Sequence, residues 1–305
     1  IIAVLPVFLL LSGCTVASDP MPPARIDIFV ADLSISNSKT DQFQKLQEGL
    51  TSSLSDNSLG VPKAIGELPK SGPVTTIVTF ITSNAGQAEQ FRLQSATDVR
   101  KLWNDEFSQD TERNSASWEL ISNYYGNYVR AIHGQDSSFS MQSCKEDLDS
   151  KLKPKFIGDF KRGRIVEVLC SKAETLDTQY RGMRSYFNAT SARSTDIYGM
   201  LLEIEQLVKS EKKQDSKSSI SVTIASDMIN DTTLSNSTVD KLRQLGFDQQ
   251  KSEAAGRVDG VNSKLDKLTD LKIRGVGNAP IPAEATSALM MYWKGYFQNP
   301  DLDIR

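Results

Sequence analysis

Four short runs rich in β-branched and apolar residues restrict what this chain can fold into: residues 25–31 (RIDIFVA), 74–83 (VTTIVTFITS), 220–225 (ISVTIA) and 271–276 (LKIRGV). Short runs of this kind read as strands, and the first, RIDIFVA, as a parallel strand covered on both faces. Between them the apolar spacing changes to that of a helix. Phe43, Leu46, Leu50 and Leu54 form one stripe, and Ile197, Leu201, Ile204 and Val208 form a second. Ala285, Ala288, Leu289, Tyr292, Trp293 and Tyr296 form a third. These are the buried faces of amphipathic helices. Thr40 or Ser38 suits the cap of the first, and Thr195 that of the second. Strands alternating with helices predict an α/β fold with a mainly parallel sheet.

The pattern loses focus over residues 84–192, expected as a largely helical insertion. Trp118, Ile121, Tyr125, Tyr128, Val129 and Ile132 share one helical face, broken by Gly126. Residues 165–170 (IVEVLC) fit a strand or a helix turn, and period alone does not choose. The charged run 209–219 reads as a solvated connector. The domain is expected to occupy residues 25–298, with 299–305 as a tail.

The chain of 305 residues can bury a full core. Its net charge of -3 and pI of about 5.4 give no support to nucleic acid as a partner. Residues 1–11 (IIAVLPVFLLL) are apolar but shorter than the roughly 20 residues that span a bilayer, and match the apolar region of a secretory signal. The chain starts on Ile without the charged segment that precedes such a region, so more leader is expected upstream. The following string, Leu11-Ser12-Gly13-Cys14, resembles the bacterial lipobox. That resemblance implies a signal peptide over 1–13, lipid on Cys14, a tether over 14–24, and a body anchored to a bacterial membrane outside the cytoplasm. In such an oxidising compartment Cys144 and Cys170 are expected to pair, the alternative being two separate buried thiols.

Asp32, Ser34 and Ser36 form a D-x-S-x-S string just past the first strand, Asp227 ends the third, and Thr195 stands at a helix start. Ligands of open α/β sheets bind beyond the carboxyl ends of the strands, where all these residues are expected. Serine and threonine hydroxyls with one or two carboxylates are hard oxygen donors that suit magnesium, which keeps several waters. The segments IDIFVADLSISNS, STDIYGMLLEI and ISVTIASDMIND resemble the three metal-site loops of the von Willebrand factor A superfamily. The resemblance covers residues 25–83 and 193–298. It implies a Rossmann-like sheet flanked by helices, with Asp32, Ser34, Ser36, Thr195 and Asp227 holding Mg2+ (or Mn2+ or Ca2+). It also implies a protein partner whose Asp or Glu completes the shell. An envelope structural or assembly lipoprotein, its metal mainly stabilising, is one alternative. A phosphatase-like hydrolase with Asp32 as nucleophile is another, disfavoured because Ser34 occupies the place of the usual second acid. The only histidine, His133, sits in a loop-like stretch and offers no zinc site or catalytic base with the remaining cysteines. The leading expectation is a binding module and not an enzyme.

Overall fold

The computed structural model describes residues 23–34, 39–53, 74–84, 86, 88–94, 140–152, 159–231, 237–276 and 281–305. The expected cap Ser38, and the aromatic stripe from Trp118 to Ile132 with His133, lie outside these residues. The described strands are β1 (Arg25–Asp32), β2 (Val74–Ile81), β3 (Gln90–Gln94), β4 (Ser219–Ala225), β5 (Asp270–Arg274) and β6 (Asp303–Ile304). They form one sheet in the order β3-β2-β1-β4-β5-β6. Every pairing is parallel except that of β3 with β2, so the sheet is mixed and mostly parallel.

The described helices are α1 (Lys39–Ser53), α2 (Met141–Leu152), α3 (Asp159–Ala189), α4 (Ile197–Gln214), α5 (Thr238–Gln244), α6 (Gln249–Asp259), α7 (Leu265–Leu268) and α8 (Ala283–Tyr296). They cover both faces of the sheet, and the strand period of two sorts the core accordingly. Ile26, Ile28 and Val30 of β1 enter a core with Met200, Ile204 and Val208 of α4 and Leu289 and Trp293 of α8. Phe29, Ala31 and Leu33 enter a second core with Leu46 and Leu50 of α1 and Tyr180, Met183 and Phe187 of α3. A strand buried on both faces favours apolar and β-branched residues at odd and even positions alike, which is why β1 and β2 read as short runs of such residues, with Asp27 the buried charged exception inside β1.

Two strands escape the apolar signal. The edge strand β3 (QFRLQ) lies in the segment expected as helical, and carries only Phe91 and Leu93 as buried apolar residues. An ion pair from Arg92 to the buried Glu211 ties it to α4. At the other edge β6, in the expected tail, pairs with β5 through Lys272↔Asp303 and Ile273↔Ile304. Residues 165–170 are helical, inside α3. Their apolar side chains Val166, Leu169 and Cys170 share a buried face of that helix. Cys170 is joined to Cys144 of α2 by a disulfide, with Cα atoms 5.9 Å apart.

The helices α6 and α8 meet backbone to backbone. A Cβ added at Gly256 or Gly260 would run into the carbonyl oxygens of Tyr292 and Tyr296, and one at Gly295 into that of Glu253. Glycine is required there by close approach and not by backbone angle. Among the described residues no helix is long and apolar enough to cross a membrane.

Candidate functional site

The connection after β1 leads to β2 on one side, whereas β4 lies against β1 on the other. The strand order therefore changes direction between β1 and β4, and the crevice beyond their carboxyl ends is the position where open α/β sheets take ligands. Ala31 is in register with Ala225, so Asp32 and Ser226 leave the sheet side by side.

Asp32 is 2% exposed and accepts hydrogen bonds on both carboxylate oxygens. The backbone N–H of Ser34 donates to Oδ1 at 2.8 Å, and Ser226 Oγ donates to Oδ2 at 2.8 Å. Ser226 Oγ in turn accepts from the N–H of Met228 at 2.9 Å. Asp227, 1% exposed, accepts from the N–H of Ile229 at 3.0 Å. These two local bonds hold a tight turn in which Met228 adopts a φ of 59°. A left-handed methionine costs about 1–2 kcal/mol, and the turn is further held by Trp293 Nε1, which donates to the Met228 carbonyl at 3.0 Å.

A third segment is stitched onto the same edge. The N–H of Ala192 donates to the Leu33 carbonyl at 2.9 Å, and Ser34 and Ala192 form a parallel bridge. Three residues on, Thr195 exchanges backbone hydrogen bonds with Asp231 at 2.9 and 3.1 Å. The N–H of Asp196 donates to the carbonyl of Thr82, just past β2, at 3.1 Å. Asp32, Ser34, Thr195 and Asp227 thus lie along one edge, although Thr195 is distant from Asp32 in sequence. Ser36 and Cys14 lie outside the described residues.

One detail differs from the sequence expectation. Thr195 does not cap α4; Asp196 does, its carboxylate accepting from the N–H of Gly199 at 2.9 Å. The backbone of Thr195 is engaged with Asp231, so the helix begins at Ile197, as the apolar stripe suggests, and one residue later than a Thr195 cap would start it. The N–H of Ile197 is taken by Asn230 Oδ1 at 2.9 Å, which fixes the start of α4 against the turn after β4. Asp196, Ser226 and Asn230 had no sequence signal beyond being polar residues near predicted element ends.

Compared with known proteins, the chain matches no family model and no curated protein. The chemistry of the edge therefore rests on its own residues.

Burial pushes the Asp32 carboxyl up to about 6, and the nearby charge of Asp227 pushes the same way. The N–H of Ser34 and the hydroxyl of Ser226 oppose the rise without cancelling it. Two buried carboxylates close enough to repel form a place where added positive charge is favourable. The donor set is two carboxylates with the hydroxyls of Ser34 and Thr195, all hard oxygens, which fits magnesium, manganese or calcium. Among the described residues no group of three or more His, Cys, Asp or Glu is placed to hold a metal ion. A cation here would rely on hydroxyls and water for the rest of its shell.

Proposed function

We propose that this chain is a lipid-anchored extracytoplasmic binding module of the von Willebrand factor A type, which uses a divalent cation to engage a carboxylate of a protein partner. The observation that carries the reading is the pair of buried, mutually repelling carboxylates, Asp32 and Asp227, at the reversal of strand order. Ser34 and Thr195 are secured to the same edge by backbone bridges.

In this reading Asp32, Ser34, Ser36, Thr195 and Asp227 hold the cation, Mg2+ before Mn2+ or Ca2+. The bound ion would supply Lewis acidity and a coordination position for the partner's Asp or Glu. Ser226 and the N–H of Ser34 fix the Asp32 carboxylate, and Asn230 fixes the start of α4 behind Thr195. Lipid on Cys14 would hold the body at a bacterial membrane. The role is binding and not catalysis.

The test is a pull-down from envelope extract with the body as bait, in magnesium and in chelator. Partner capture that needs magnesium and is lost in Asp227→Ala supports the reading; capture indifferent to both opposes it. A second reading is favoured by the exposures of only 2% and 1% at Asp32 and Asp227: the ion would serve mainly to stabilise an envelope structural protein. Chelation would then lower the melting temperature while leaving partner capture intact.

A further inference from the structure

Among the described residues, the sheet face carrying α1 is covered unevenly. On β4 and β5, Val222, Ile224, Leu271 and Ile273 are buried in the core beneath α4 and α8. By strand alternation Thr223, Lys272 and Arg274 point to the opposite face. There α1 supplies one wall and β4–β6 the floor of a groove of about 420 Å³, lined by Lys45, Glu48, Thr223, Lys272, Arg274 and Arg305.

Two glycines set its shape. A Cβ at Gly49 would strike the ring of Phe29, so α1 lies close on β1 and carries Lys45 and Glu48 over β4. Gly275, with a φ of 102°, turns the chain so that its N–H donates to the Arg305 carbonyl at 2.6 Å. That bond seats Arg305 beside Arg274.

In a chain of net charge -3, four cations line this groove against one lining side-chain carboxylate, Glu48, among the described residues. Lys272 also pairs with Asp270 at 2.7 Å. Arg274 and Arg305 share one carboxylate, Asp303, at 2.6 and 3.0 Å. Counting the side chains of both acids, four cations face three side-chain carboxylates among the described residues. Asp303 is held below the usual carboxylate range, first by its hydrogen bond from Arg274, as expected beside positive charge.

Arg274 Nη1 also donates to the carbonyls of Ile273 and Asp303 at 3.0 and 3.2 Å. We propose that this groove binds a phosphate group, its oxygens taken by the guanidinium N–H groups of Arg274 and Arg305 that face the groove beyond these bonds, and its charge neutralised by Lys45 and Lys272. Guanidinium geometry matches phosphate in a paired, planar manner, whereas lysine acts as a point charge. The Thr223 hydroxyl adds a donor on the floor. The groove opens on the α1 face of the sheet, and its Arg274 adjoins the proposed cation edge through the Ser226 N–H, which donates to the Arg274 carbonyl at 2.9 Å.

The test uses the full chain with two probes: pyrophosphate by calorimetry, and flotation with phosphatidylcholine vesicles containing phosphatidylglycerol. Saturable pyrophosphate binding that weakens about tenfold or more in Lys272→Gln/Arg274→Gln is the expected result for a free phosphate ligand. Lys45→Gln, on a different element, should weaken it too, and Glu48→Gln should tighten it. Flotation lost in the same variants, without pyrophosphate binding, would assign the phosphate to a lipid headgroup. Absence of binding to either probe, or binding that Lys45→Gln and Lys272→Gln leave unchanged, overturns the proposal.

Discussion

Ser226 Oγ donates a 2.8 Å hydrogen bond to Asp32 Oδ2, joining the carboxyl ends of β4 and β1 through two side chains that are almost wholly buried. Ser226 Oγ also receives the N–H of Met228, so one hydroxyl serves both the carboxylate and the strained turn. Ser226→Ala should therefore lower stability by about 1–3 kcal/mol, since it leaves a buried acceptor and a buried donor short of a partner. Urea denaturation reads this directly. A loss below a few tenths of a kcal/mol would mean that the hydroxyl is not holding the two strand ends.

The raised position of Asp32 has a defined sign. Its carboxyl titrates near 6 in the folded chain against an ordinary 3.8, so the folded state binds the extra proton between those values. Stability from this group is then greatest below the ordinary value and falls as pH rises through about 6, by up to about 3 kcal/mol. In chelator, Asp32→Asn should gain stability relative to wild type on going from about pH 4 to pH 7. Denaturation curves of both proteins across that range check it, and parallel curves would show that Asp32 titrates normally.

The α6–α8 crossing leaves no room for side chains. Gly256→Val and Gly295→Val should each cost about 2 kcal/mol or more, because backbone must move and not merely a side-chain tip. The same change at Gly246, where an added Cβ meets nothing but φ is 67°, would reflect backbone strain alone. Thermal melts that rank Gly246→Val as the most damaging of the three would contradict the packing account.

The Cys144–Cys170 bridge closes a separation of 26 residues. Chain entropy then gives a stabilisation of about 3 kcal/mol. Cys144→Ala/Cys170→Ala should lower the denaturation midpoint accordingly. Both cysteines lie on α2 and α3, away from Asp32 and Asp227, so metal binding should not change. Free thiols in the protein purified without reductant would remove the basis for the prediction.

The parts of this fold legible in the sequence are those where burial leaves a pattern. β1 and β2 are covered on both faces, so they read as short runs of apolar and β-branched residues. The α4 stripe of Ile197, Leu201, Ile204 and Val208 is buried in the structure. What escaped has a physical reason in each case. The edge strand β3 and the two-residue β6 carry too few apolar positions for a period to show. Residues 165–170 are apolar enough for a strand, and only their place within the 31-residue α3 decides for helix. At the candidate site, Asp32, Ser34, Thr195 and Asp227 could be named from spacing and predicted strand ends. Ser226 and Asn230 could not, because their partners, Asp32 and Ile197, are set by the tertiary fold.

The central claim is that the carboxyl edge between β1 and β4 holds a divalent cation. Titration calorimetry of the chain lacking residues 1–22 with magnesium and manganese tests it most directly. Wild type should bind one ion per chain, Asp32→Ala and Asp227→Ala should bind none while keeping the wild-type circular dichroism, and Asp227→Asn should bind more weakly. No heat of binding from folded wild type at millimolar cation, or unchanged binding in Asp32→Ala, would contradict the account.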